Sequence, residues 1–160
     1  MIPIIPRASV PLPPRPSLAH VDVHPGIIIH CTAGHRPATK GSALEKWLRV
    51  WEWHTMGNGW HDIGYHFGVT PDGRILEGRG WGVRGAHAKG YNRWIGIVVQ
   101  GKGLEMTAEE KAAIVALHAI HIARGGGEVV LPHNAVSRKA CPGPVVTQWV
   151  LDTFPQPRAA

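Results

Sequence analysis

Two histidines and a cysteine in this chain have the types and the setting of a metal site. His30 follows the run Ile27-Ile28-Ile29, His133 follows Val129-Val130-Leu131-Pro132, and Cys141 comes eight residues later, ahead of Pro142-Gly143. Imidazole nitrogen and thiolate sulfur are donors that zinc prefers, and a catalytic zinc takes three protein ligands and keeps a fourth position open. Two strand ends and a returning loop can bring three donors to one edge of a sheet. The chemistry of such a site is hydrolysis, because zinc acidifies water and polarises a carbonyl.

The same residues have plainer readings. With 11 histidines in the chain, some His and Cys proximity arises by chance. A histidine at a strand end is commonly a hydrogen-bonded structural residue. Cys31 and Cys141 can form one disulfide, although two cysteines in 160 residues are not a disulfide framework. Strand alternation separates their roles: if His30 faces a metal, Cys31 faces the core as a small buried hydrophobe. A rival metal pair, His118 and His121, shares one helix face but has no third ligand nearby in sequence. His20, His24, His35, His54 and His61 flank loops and turns where nothing asks for a metal.

The elements that must position these groups are legible in outline. Ile27 to Ile29 is a short β-branched strand, as is Ile95 to Val99. Ser42-x-x-Glu45 has the form of a capping box, and Leu44, Trp47, Leu48 and Trp51 share one helical face that ends at Gly57-Asn58-Gly59. Gly64 to Val69 and Arg74 to Glu77 read as a hairpin around Pro71-Asp72-Gly73. Residues 78–93 are a Gly-rich loop. Thr107-x-x-Glu110 caps a second helix that runs to about Arg124 and stops at Gly125-Gly126-Gly127. Val129 to Leu131 is another strand, and a last helix starts near Pro144 and ends before Pro155. The expected class is α/β, a single domain with a central mixed β-sheet flanked by helices. Residues 1–19 read as a Pro-rich, extended N-terminal arm, and residues 20–160 as the domain.

Composition narrows the function. The net charge of +6 and pI near 9.8 favour polyanionic partners: nucleic acid, anionic membrane, or a wall carrying carboxylates. No run of five Lys or Arg supports nucleic acid, and no apolar run approaches the ~20 residues of a membrane span. The prolines from Pro3 to Pro16 exclude the apolar core of a signal peptide.

Four ordered stretches resemble the peptidoglycan recognition protein / type 2 N-acetylmuramoyl-L-alanine amidase family, and in particular the small phage endolysins with amidase activity. They are Ile28 to Ala33; Trp60 to Phe67 with Pro71 to Arg74; Gly85 to Ala88 with Asn92 and Ile95 to Ile97; and His133-Asn134 with Lys139 to Gly143. The resemblance covers roughly residues 25–153. It implies one Zn2+ held by His30, His133 and Cys141, with Tyr65 and Lys139 as the catalytic tyrosine and lysine. It also implies a substrate loop, with His87 as a peptidoglycan contact and Trp60, Trp81 and Arg84 as further candidates. The strand from Ile95 to Val99 has no glutamate, so the likeness is to the tyrosine-using branch. Trp94 stands where a serine is frequent. The implied activity is zinc-dependent hydrolysis of the bond between N-acetylmuramic acid and L-alanine. The implied setting is a monomeric phage endolysin kept in the host cytoplasm until lysis, without nucleic-acid binding or membrane insertion. The alternatives are a non-catalytic peptidoglycan-binding module of the same fold and a protein-binding regulator.

Overall fold

The computed structural model describes residues 2–157. Six strands form one mixed sheet in the order β1-β4-β3-β5-β2-β6: β1 Ile4–Ile5, β2 Ile27–Cys31, β3 Phe67–Val69, β4 Ile75–Glu77, β5 Ile95–Val99 and β6 Val130–Pro132. Every pairing is parallel except the β3–β4 hairpin. Three α-helices complete the domain: α1 Lys40–Glu52, α2 Ala108–Ala123 and α3 Pro144–Thr153.

Alternation along the strands divides the core. Ile27, Ile29, Phe67, Val69, Ile97 and Val99 pack with Ile114 and Leu117 of α2 and Val146 and Val150 of α3. Leu76 and Val98 point to the other face and pack with Trp47 of α1. A fully buried sheet interior explains why β2 and β5 read as continuous apolar runs rather than alternating ones.

Helix α1 begins one turn earlier than its apparent Ser42-x-x-Glu45 cap. Thr39 is the N-cap: its side chain accepts from the Ser42 N–H, and Ser42 Oγ accepts from the Thr39 N–H. Serine replaces the usual Glu or Gln in this reciprocal pair, so the pattern escapes a search for S/T-x-x-E. Beyond Glu52 the backbone widens into a π-helical turn, Trp53–Gly57. The Thr107 to Glu110 cap of α2 is present as read.

The segment of residues 2–19 is extended but docked. Ile4 and Ile5 add β1 alongside Ile75 and Leu76. Arg7 is buried, and its guanidinium pairs with both carboxylate oxygens of Asp62 at 2.9 and 2.8 Å while also donating to Gly78 O. Its backbone N–H donates to Glu77 Oε2. Truncating Arg7 strands a fully buried carboxylate. We expect Arg7→Ala to lower unfolding free energy by about 3–5 kcal/mol, read from urea melts. A loss below about 1 kcal/mol would show that the pair does not anchor the arm.

Candidate metal centre

Parallel register brings His30 and His133 together. Ile29 of β2 pairs with Pro132 of β6, so the next residues, His30 near the end of β2 and His133 just past the end of β6, sit side by side at the same level. Adjacent strands lie about 4.8 Å apart, and the two imidazole centroids are 4.3 Å apart. The loop after β6 returns through a turn closed by Gly143 N–H to Ala140 O, which places Cys141 over the end of β2. There the Cys31 backbone N–H donates to Cys141 Sγ at 3.2 Å. The site thus lies beyond the carboxyl ends of parallel strands, where open α/β sheets place their ligands.

The donors of His30, His133 and Cys141 lie within 4.8 Å of one another, and among the described residues no other His, Cys, Asp or Glu group meets that condition. Tetrahedral zinc with nitrogen and sulfur ligands needs donor separations of about 3.3–3.6 Å, and Cys141 Sγ lies 3.8 Å from His30 Nδ1. His133 Nδ1 is buried and has no hydrogen-bond partner among the described residues. An unpartnered buried imidazole nitrogen is costly unless something else takes its lone pair or proton. Burial first, then His87 and His133, holds His30 well below the usual imidazole value, and burial with Lys139 lowers His133. Both are therefore neutral, as metal ligation requires. These residues fit zinc.

The two cysteines are free thiols. Cys31 packs against the α2 face, as alternation demands, while Cys141 Sγ sits on its backbone N–H and carbonyl. The proximity of the two thiols lowers Cys31 and, with burial, raises Cys141. A metal held at Cys141 would reverse this order, because a metal-bound thiol is deprotonated outright.

Tyr65 precedes β3 and sets its ring 5.1 Å from that of His30. Burial, reinforced by the Cys141 and Cys31 sulfurs, raises its phenol, so it stays protonated as a hydrogen-bond donor. Lys139 is exposed at the rim, close enough for its charge to bear on His30, His133 and Cys141. A groove of about 510 Å³ runs from Tyr65 along α1, lined by Thr32, Lys46, Arg49, Trp53 and His54 among others.

The remaining candidates divide. Trp60 packs against the groove residue His54 with its ring tilted by 42°, centroids 4.6 Å apart. Arg84 is exposed, and its backbone carbonyl accepts from Arg79 Nη1. Trp81 is not brought to the groove. It packs on Phe67 and stacks on His121 of α2, with Arg124 over its ring, on the opposite face of the sheet. His87 lies behind His30, with its Nδ1 2.9 Å from His30 Nε2. The rival pair His118 and His121 is tied to backbone instead, each Nε2 meeting a carbonyl, of Glu128 and Gly127 respectively.

His54 is a groove residue that sequence reasoning passed over. Its Nδ1 accepts from the Gly64 N–H, so in the neutral ring Nε2 carries the proton. Burial, then Arg79, lowers it to about 4, which keeps it neutral. Its partner lies ten residues away, and no local pattern links the two.

Comparison with known proteins bears on this geometry. The family described as N-acetylmuramoyl-L-alanine amidase matches residues 22–144. The chain belongs to that family. Among its relatives, Peptidoglycan-recognition protein SC2 of Drosophila melanogaster is 35% identical over 122 residues, 72% of this chain and 66% of the relative. The match thus spans just under two thirds of that insect protein's length. The endolysin of Escherichia phage T7 is 34% identical over 131 residues, 77% of this chain and 83% of the endolysin. The solved bumblebee PGRP-SA superposes with a TM-score of 0.89 at 26% identity, covering 96% of each chain. The family match contains His30, Tyr65, His133, Lys139 and Cys141, and the single-domain architecture is that of the peptidoglycan recognition proteins. Among the described residues, no helix is long and apolar enough to cross a membrane.

Proposed function

We propose that this protein hydrolyses the amide joining the lactyl group of N-acetylmuramic acid to L-alanine in peptidoglycan, with one zinc ion held by His30, His133 and Cys141. The observation that carries the reading is the convergence of three neutral or thiol donors within 4.8 Å beside a protonated tyrosine and an open groove. What zinc supplies in such a donor set is Lewis acidity toward water and the scissile carbonyl. The chain's own residues do the rest. Tyr65 donates its phenolic proton in a hydrogen bond to the oxygen on which negative charge develops. Lys139 adds positive charge at the rim, offsetting the thiolate ligand. His54 offers an Nε2–H to the stem peptide lying in the groove, and the exposed Arg49 meets its carboxylates. Trp60 provides an aromatic face beside His54.

The endolysin relative supports a role in phage lysis, in which the protein stays in the host cytoplasm until the membrane is breached and then acts on the wall as a monomer. Purified walls digested with the protein should gain free L-alanine amino termini without new reducing sugar ends, and a chelator should stop the gain. Reducing ends alone would identify a glycosidase. Wall binding without cleavage would identify a recognition module.

A further inference from the structure

Behind His30 the structure contains a hydrogen-bond relay that ends on a group with no freedom of role. His30 Nε2 lies 2.9 Å from His87 Nδ1, and His87 Nε2 lies 2.9 Å from the Trp94 carbonyl oxygen. A carbonyl only accepts, so His87 Nε2 must carry a hydrogen. The two ring nitrogens of His87 meet a carbonyl and a second imidazole, with no carboxylate to hold an extra proton, so the ring is neutral and its Nδ1 holds a lone pair. His30 must then donate from Nε2. Its Nδ1, the atom 3.8 Å from Cys141 Sγ, is left with the free lone pair.

We propose that His87 is a positioning residue, which sets the tautomer and ring orientation of His30 so that Nδ1 is presented to the metal. The inference rests on the zinc reading of the site only for its effect on affinity, not for the proton order itself. The seat of His87 is built for this task. Its ring lies against Gly96 of β5 and Gly85, where an added Cβ would come within 2.6 and 2.5 Å of it. Asn92 holds the backbone on either side, its Oδ1 accepting from the His87 and Ala88 N–H groups. The neighbouring His66 cannot substitute, because its Nε2 is committed to Val83 O and its Nδ1 to the Gly96 N–H. Ligating histidines generally donate their second nitrogen to a carbonyl or carboxylate. Here a second imidazole is interposed, and the carbonyl of Trp94 acts at one remove.

Two measurements test this. Long-range 15N–1H NMR on the metal-free wild-type protein should show both His30 and His87 protonated on Nε2, and a His30 proton on Nδ1 would overturn the proposal. Chelator competition should show His87→Ala binding zinc about 10- to 100-fold more weakly. His87→Gln, whose amide can accept from His30 and donate to Trp94 O, should stay within about threefold of wild type on the same scale. Gln failing as badly as Ala, or Ala leaving the affinity unchanged, would contradict the relay. If the wild-type protein binds no zinc, the proposed function fails, while the NMR result still decides the proton order.

Discussion

Replacing Cys141 with serine should remove tight zinc binding and wall hydrolysis together, while Cys31→Ala should keep both. The contrast follows from what each cysteine contributes. Cys141 offers the only sulfur in the donor cluster, and a neutral hydroxyl cannot replace a thiolate toward zinc. Losing the Lewis acid forfeits several kcal/mol of transition-state stabilisation, on the order of 1,000-fold or more in rate. Metal binding also contributes folding free energy, so the Cys141→Ser protein should melt at a lower temperature. Cys31 supports Cys141 through its backbone N–H, which alanine retains. Its own cost should be that of a small unfilled space, about 1 kcal/mol. Zinc content by mass spectrometry and release of L-alanine amino termini are the readouts. Equal damage from the two substitutions would mean that the cysteines act as a pair and that Cys141 is not a ligand.

The second large effect belongs to Tyr65. Its phenol is held protonated 5.1 Å, centroid to centroid, from the ring of His30, where a donor can meet developing negative charge. Removing one such donor typically costs about 100- to 1,000-fold in kcat. Tyr65→Phe should show that loss with the zinc content and melting temperature unchanged, because the ring and its packing remain. KM should move little if the hydrogen bond forms chiefly in the transition state. A kcat within about threefold of wild type would leave Tyr65 as a packing residue, and loss of zinc would place it in the metal's support instead.

The sequence pointed to the residues of this cluster for different reasons. The strand run before His30 and the one before His133 point to two histidines at strand ends, and the β2–β6 register makes them neighbours. Tyr65 and Lys139 carry no such local signal, and only the resemblance to a family singled them out. The docking of residues 2–19 was hidden because a Pro-rich stretch reads as extended whether or not it pairs. Its anchor, Arg7 with Asp62, joins residues 55 apart. Trp81 illustrates a limit of loop reading: an indole in a Gly-rich loop has the composition of a sugar platform. Which face of the sheet it takes depends on Phe67 and α2, which are distant in sequence. His87 looked like a substrate contact because its loop resembles one. That its partners are His30 and a main-chain carbonyl is visible only once β5 and the loop are side by side.

Cleavage of one particular bond with a zinc held by His30, His133 and Cys141 can be followed with a defined muropeptide in 18O-labelled water. Hydrolysis of the muramoyl–alanine amide puts the water oxygen on the acyl carbon and releases the amine. The expected result is one 18O atom in the lactyl carboxylate and an intact peptide with a free L-alanine amino terminus. Zinc-stripped protein should give neither, and added zinc should restore both. Label in a reducing sugar, label within the peptide, or undiminished turnover by zinc-free protein would contradict the account.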